Sequence, residues 1–111
     1  MDSLQSAIVY TSPMSRDEVL ATLRQHAPDL QAEGILHLAL FGSTARNEAG
    51  PGSDIDLMAE YDPNRQLSLL DIARFQYQLS DLLGAEVDLA SRKRMRPIIK
   101  ESAEEDAIDA F

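Results

Sequence analysis

The residues best suited to chemistry are two aspartates in a segment where acidic and apolar residues alternate, Asp54 and Asp56. On a β-strand, residues two apart project from the same face, so their carboxylates lie side by side while Ile55 and Leu57 face the core. Two anions this close repel each other unless a cation lies between them. Oxygen ligands at this spacing suit magnesium, which completes its shell with water and substrate phosphates. The spacing therefore predicts metal ligands.

A candidate phosphate-binding segment precedes the two aspartates. Gly42 and Ser43 stand where an apolar run ends and a short helix is predicted. Glycine lets a phosphate approach the backbone, the serine hydroxyl donates to it, and the free N–H groups at a helix start bind anions. Arg46 follows Ser43 by one helical turn, so its guanidinium can reach the same phosphates. An ion pair with Glu48 or Asp54 is the alternative role for this arginine.

A third carboxylate, Asp88, has the same setting as Asp56, because Val87 and Leu89 flank it in a short predicted strand. If the two strands are neighbours, the three carboxylates share one metal cluster. Such a cluster supports in-line attack at phosphorus: one metal and a nearby base activate the acceptor hydroxyl, and the other metal neutralises the leaving pyrophosphate. The sequence therefore predicts nucleotide transfer without a covalent enzyme intermediate.

Hydrophobic periodicity and capping signals predict the elements that position these residues. The predicted strands are 35–41, which we expect to be central and covered on both faces, 54–61 and 86–90. The predicted helices are 16–30, 44–48, 67–83 and a last helix from Pro97 that carries Ile108. Strands alternating with helices favour an α/β fold with a small mixed or largely parallel sheet, of about three main strands packed with about four helices.

Length and composition exclude several classes of protein. A chain of 111 residues is expected to form a single domain, 1–111, without a separate domain for substrate recognition. The formal net charge of -9 opposes direct, stable binding to nucleic acid. The absence of cysteine excludes disulfides, zinc–thiolate sites and thiol nucleophiles. Without a leader-like start or a long apolar stretch, we expect a soluble cytoplasmic protein that makes no membrane contact.

The motifs together resemble the DNA polymerase β-like nucleotidyltransferase superfamily. Gly42-Ser43, ten intervening residues and Asp54-x-Asp56 are similar to its signature. The stretches Ser-Thr-Ala-Arg and Ser-Asp-Ile-Asp-Leu resemble its minimal nucleotidyltransferase branch. Asn47 stands where many members have glycine, and asparagine also tolerates unusual backbone angles. The likeness covers nearly the whole chain and implies the polymerase β-like fold.

This resemblance implies a specific function. Minimal nucleotidyltransferases of this kind are commonly encoded beside a HEPN-domain toxin, and they act as antitoxins that transfer AMP from ATP to a tyrosine of the toxin. The resemblance implies that Asp54 and Asp56 hold magnesium, two ions in all, and that Asp88 completes the site and acts as the base. It also implies that Gly42, Ser43 and Arg46 hold the triphosphate of ATP. The expected partner is a cognate HEPN toxin in a hetero-oligomer.

Two other functions stay open at this point. The chain could neutralise a toxin by binding alone, or it could transfer a nucleotide to a small molecule such as an aminoglycoside. A related question concerns the run Arg92–Lys100, which holds five of the ten basic residues. These cations either balance the acidic last helix or contact the nucleotide or the partner.

Overall fold

A mixed four-stranded sheet organises residues 14–111, the part of the chain that the computed structural model describes. The strands are β1 (Ile35–Phe41), β2 (Ile55–Tyr61), β3 (Val87–Ser91) and β4 (Ile108–Asp109). The helices are α1 (Arg16–Gln25), α2 (Ala27–Ala32), α3 (Gly42–Ala45), α4 (Leu69–Leu83) and α5 (Pro97–Asp106). The chain start, on which the expectation of no leader rests, lies outside the described residues. None of the helices within 14–111 is long and apolar enough to cross a membrane.

The strand order in the sheet is β3-β2-β1-β4. β1 pairs antiparallel with β2 and with β4, whereas β2 and β3 are parallel. The predicted α/β class, the mixed sheet and the central position of β1 are therefore confirmed. The parallel β2–β3 pair has its crossover through α4, and this connection brings two distant acidic segments to neighbouring strands.

The two faces of the sheet are covered differently. Along β2, Ile55, Leu57 and Ala59 are buried in the main core, together with apolar residues of α1 and α4. On the opposite face, Met58 packs with Ala39 of β1 and Ala103 of α5 in a smaller cluster. Because α5 covers only this small cluster, the second face retains polar side chains at both ends of β2.

Two predicted helix boundaries are wrong, and each has a local cause. The predicted helix 16–30 is broken at His26, with Pro28 in the first turn of α2. Proline has no N–H to donate, and its ring clashes with the carbonyl four residues earlier. The last helix ends at Asp106, and Ile108 pairs with Leu40 of β1 as part of β4. A two-residue strand is too short to show a periodic pattern, so nothing in the sequence predicted β4.

Helix α4 also protects the edge of the sheet at β3. The backbone N–H of Val87 donates to the Ser80 hydroxyl at 3.1 Å, and the N–H of Leu89 donates to Oε1 of Gln76 at 3.2 Å. An unpaired strand edge invites pairing with other chains, and these two side chains occupy its donors. They also hold β3 in place between α4 and β2.

Candidate active site

Three carboxylates meet at the edge where β2 begins. In the parallel β2–β3 pair, Asp56 lies opposite Asp88, on strands that are about 4.8 Å apart. Asp54 immediately precedes β2 and is exposed, as is Asp88, whereas Asp56 is half-buried. Partial burial raises the pKa of Asp56, and the negative charges of Asp88 and Asp54 raise it further. The structure thus brings together the three acids that the sequence singled out, and the positive charge of Arg46 offsets their repulsion only in part.

The turn after β1 lies directly against these acids. Gly42 has a φ of +76°, and Phe41 before it pairs with Asp56. A Cβ on Gly42 would fall on the Asp56 carboxylate, with the Cγ atom only 3.0 Å away. Only glycine therefore fits between the turn and the acid. The candidate phosphate segment and the candidate metal ligands are in contact.

The short helix that follows differs slightly from its prediction. α3 covers Gly42–Ala45 rather than 44–48, and it ends where Asn47 takes a left-handed φ of 64°. Asparagine is one of the few non-glycine residues that adopt this conformation readily. Ser43 is half-buried beside the acidic edge, and Thr44 is the buried polar side chain of this turn.

Arg46 is engaged by two carboxylates. Its Nε donates to Glu48 at 2.9 Å, and its Nη1 donates to Asp106 at 2.7 Å. These hydrogen bonds, first that to Glu48 and then that to Asp106, raise the pKa of the guanidinium. The ion-pair alternative is therefore realised with Glu48, and not with Asp54. The sequence did not predict the ion pair with Asp106, because this residue is sixty positions from Arg46 in the chain.

The donor set at this edge fits magnesium when a nucleotide supplies the other ligands. Within residues 14–111, no three His, Cys, Asp or Glu side chains are arranged so that they could hold a metal ion together, so the structure does not show the metal cluster shared by Asp54, Asp56 and Asp88 that the sequence predicted. Mg²⁺ usually binds through one or two carboxylates, several waters and substrate phosphates. Half-buried Asp56 and a neighbouring acid meet that need, and their mutual repulsion is relieved by a cation.

A second charged cluster lies at the other end of β2, on the same side of the sheet. Arg92 contacts both carboxylate oxygens of Glu104, through Nε at 2.8 Å and Nη2 at 2.7 Å. Its Nη1 lies 3.4 Å from oxygens of both Glu60 and Asp109. The bidentate bond lowers the pKa of Glu104. For Arg92, the structure therefore supports the role of balancing the acidic last helix.

Comparisons with known proteins agree with this fold. The sequence profile of the nucleotidyltransferase domain matches residues 20–110. A chain from Methanocaldococcus jannaschii, named as a protein adenylyltransferase, is 37% identical over 88 residues, or 79% of this chain and 92% of the relative. Protein adenylyltransferase MntA of Thermococcus cleftensis is 29% identical over 84 residues, or 75% and 83% of the two chains.

Two solved structures extend the comparison. A minimal nucleotidyltransferase superposes with a TM-score of 0.69 at 36% identity, covering 87% of this chain and 97% of that one. An MNT antitoxin in complex with a tri-AMPylated HEPN toxin of Shewanella oneidensis gives a TM-score of 0.55 at 17% identity, covering 86% and 68%, and so shows likeness of fold alone. With the profile match and the acidic edge, these similarities establish that the chain belongs to the nucleotidyltransferase family, in its minimal branch.

Proposed function

We propose that this protein is a magnesium-dependent protein adenylyltransferase that transfers AMP from ATP to a tyrosine of a HEPN-domain toxin and so acts as its antitoxin. The observation that carries the proposal is the contact between the turn at Gly42 and the Asp56 carboxylate. It joins a place for phosphates to a place for a cation, and nucleotide transfer needs the two side by side. The names of the relatives support the choice of a protein as the acceptor.

In the proposed reaction, the tyrosine oxygen attacks the α-phosphorus of ATP. A new phosphorus–oxygen bond forms, the bond to the bridging oxygen of the β-phosphate breaks, and pyrophosphate leaves with the electron pair. Asp88, exposed beside Asp56, accepts the tyrosine proton. Asp54 and Asp56 would hold Mg²⁺, which would neutralise the negative charge that develops on the phosphates. Gly42 and Ser43 bind the triphosphate through the backbone and the hydroxyl, and Arg46 binds it after exchanging a carboxylate partner for a phosphate.

The test is transfer of label from α-labelled ATP to a purified HEPN-domain toxin, in the presence of Mg²⁺. We expect the purified protein to label the toxin and the double variant Asp54→Ala, Asp56→Ala to lose this activity. The matched control is Asp81→Ala, which removes an exposed carboxylate of α4. Labelling that persists in the double variant would refute the catalytic role of the two acids.

A second candidate, neutralisation by binding alone, is favoured by one specific observation. Arg46, the expected triphosphate ligand, already pairs with Glu48 and Asp106. If these ion pairs were permanent, the segment would lack its positive charge toward ATP. Under this alternative, cells that express Asp54→Ala, Asp56→Ala at the wild-type level remain protected from the toxin. Under the proposed catalytic function, they lose protection.

A further inference from the structure

A cavity of about 500 Å³ lies at the end of β2 opposite the acidic edge. It opens between the end of β2, the start of α4 and the segment after β3, and its lining includes Tyr61, Leu67, Leu69, Arg65, Lys93 and Arg94. Tyr61 is five residues beyond Asp56, which corresponds to about 16 Å along a strand. The cavity is therefore separate from the place proposed for ATP.

The charge on this cavity is opposite to that of the protein. Arg65, Lys93 and Arg94 line it, and no carboxylate of residues 14–111 lies within 4.0 Å of any of the three. Two acids also line it: Glu60 is paired with Arg92, and Asp62 keeps its negative charge while it accepts a hydrogen bond from the backbone of Asn64. Among residues 14–111, three cations against these two acids leave the lining net positive in a chain of net charge -9, which favours an anionic ligand.

The floor of the cavity adds apolar surface. The ring of Tyr61 stacks on the buried Phe75, and its hydroxyl is buried without a hydrogen-bond partner among residues 14–111, so it offers no surface to a ligand. Leu67 and Ile72 line the same cavity and suit an apolar side chain of the ligand.

The surface beside the cavity indicates a protein rather than a small molecule as the occupant. Leu69, on the cavity lining, is 84% exposed, and its neighbour Leu70 is 82% exposed. Adjacent exposed leucines next to a charged rim are typical of protein contact surfaces. A ligand confined to the cavity would leave Leu70 uncovered, whereas a peptide segment extends over it.

We propose that this cavity docks an acidic, leucine-containing segment of the protein acceptor and thereby determines which protein is modified. The proposal rests on the proposed function for the identity of the acceptor. Carboxylates of the segment pair with Lys93, Arg94 and Arg65. Because this contact is remote from Gly42 and Asp56, it governs acceptor affinity and leaves ATP binding unchanged.

The test uses a fluorescein-labelled peptide of alternating glutamate and leucine, read by fluorescence anisotropy against the whole protein. Compared with wild type, the variant Arg65→Glu, Lys93→Glu is expected to bind the peptide at least about tenfold more weakly. The matched control Arg96→Glu, Lys100→Glu alters two cations of the same basic run outside the cavity lining and should change affinity less than about threefold. An equal loss of peptide affinity in the two variants would overturn the proposal. So would a control peptide with lysine in place of glutamate that binds wild type with the same affinity as the acidic peptide.

In the toxin-labelling assay, Arg65→Glu, Lys93→Glu should raise KM for the toxin and leave KM for ATP unchanged. A wild type that binds the peptide but labels no toxin would refute the proposed function and leave the docking site standing. Tighter binding of RNA than of the acidic peptide, lost in the same variant, would instead identify a nucleic-acid site and overturn the proposal.

Discussion

Two groups of carboxylates lie on the same side of the sheet, four residues apart along β2, and they have opposite electrostatics. Around Asp56, like charges face one another, and the pKa of Asp56 is raised by burial and by Asp88 and Asp54. Around Glu60, Arg92 gathers the acids, and the pKa of Glu104 is lowered by its bond to that arginine. The first group can accept a cation from solution, whereas the second group already pairs with the guanidinium of Arg92. Local compensation thus separates the carboxylate cluster that we propose to be catalytic from one that pairs with an arginine.

The largest expected effect is on catalytic activity, from a change at the Asp56 end of β2. Asp56→Asn should lower the rate of AMP transfer by at least about a thousandfold, because the amide cannot hold Mg²⁺ as a carboxylate does. Glu60→Gln, on the same strand and the same face, should change it less than about threefold. Initial rates with labelled ATP provide the measurement. A comparable loss in Glu60→Gln would remove the distinction between the two clusters.

The next effect concerns the turn that touches the acidic edge. Gly42→Ala places a Cβ on the Asp56 carboxylate at a φ of +76°, and should cost about 2–3 kcal/mol of unfolding free energy. Gly84→Ala is the matched control, because its φ is +64° but no atom lies within 4 Å of an added Cβ. It should cost only about 1 kcal/mol. Urea denaturation compares them, and equal costs would show that backbone strain alone explains the effect.

Removing the central cation should convert the compensated cluster into a repulsive one. Arg92→Met leaves Glu104, Glu60 and Asp109 facing one another, and should destabilise the fold by about 1–2 kcal/mol. Arg74→Met serves as the control, since its side chain is 55% exposed and its ion pairs contribute less than about 0.5 kcal/mol. Urea denaturation at neutral pH measures both variants. A difference too small to resolve would show that the Arg92 cluster is as dispensable as a surface ion pair.

Asp56→Asn should also stabilise the protein in the absence of metal. The substitution removes a half-buried negative charge beside two others, and a gain of about 0.5–1 kcal/mol is expected because solvent screens the open site. Thermal melts in EDTA and in Mg²⁺ with a non-hydrolysable ATP analogue provide the measurement. The ligands should raise the melting temperature of wild type more than that of the variant, and a variant less stable than wild type in EDTA would contradict the repulsion.

The smallest expected effect is a pH dependence of the free energy of unfolding, which comes from Glu104 beside Arg92. The pKa of Glu104 is lower in the folded chain than its ordinary value of 4.5, so its stabilising contribution is present above 4.5 and is lost as pH falls through the folded value. Between about pH 5 and 3, wild type should therefore lose up to about 1 kcal/mol more stability than Glu104→Gln. Urea titrations at several pH values compare the two, and parallel curves would contradict the contribution.

The sequence predicted the placement of the carboxylates of the candidate site better than the boundaries of the elements around it. The strands around Asp56 and Asp88 have clear apolar flanks, and their alternation predicts the faces of these acids. Pro28 accounts for the helix break at His26, which the helical periodicity did not predict. The two residues of β4 are too few to show the alternation that predicts a strand. The sequence also did not predict that Arg46 pairs with Asp106, since no spacing rule links two residues so far apart in the chain.

By itself, the sequence determined the residue types and local spacings: the carboxylates of Asp54 and Asp56 two residues apart, and a glycine–serine turn after an apolar strand. These follow from local geometry, which the chain encodes over a few residues. Only the tertiary structure decided which charges meet. It placed Asp88 opposite Asp56 on the neighbouring strand, and neither carboxylate forms an ion pair among residues 14–111. It also brought Arg92 to Glu104 and placed Lys93 and Arg94 on the lining of a cavity. Electrostatic energy depends on distances through space, and these distances exist only once strands and helices pack.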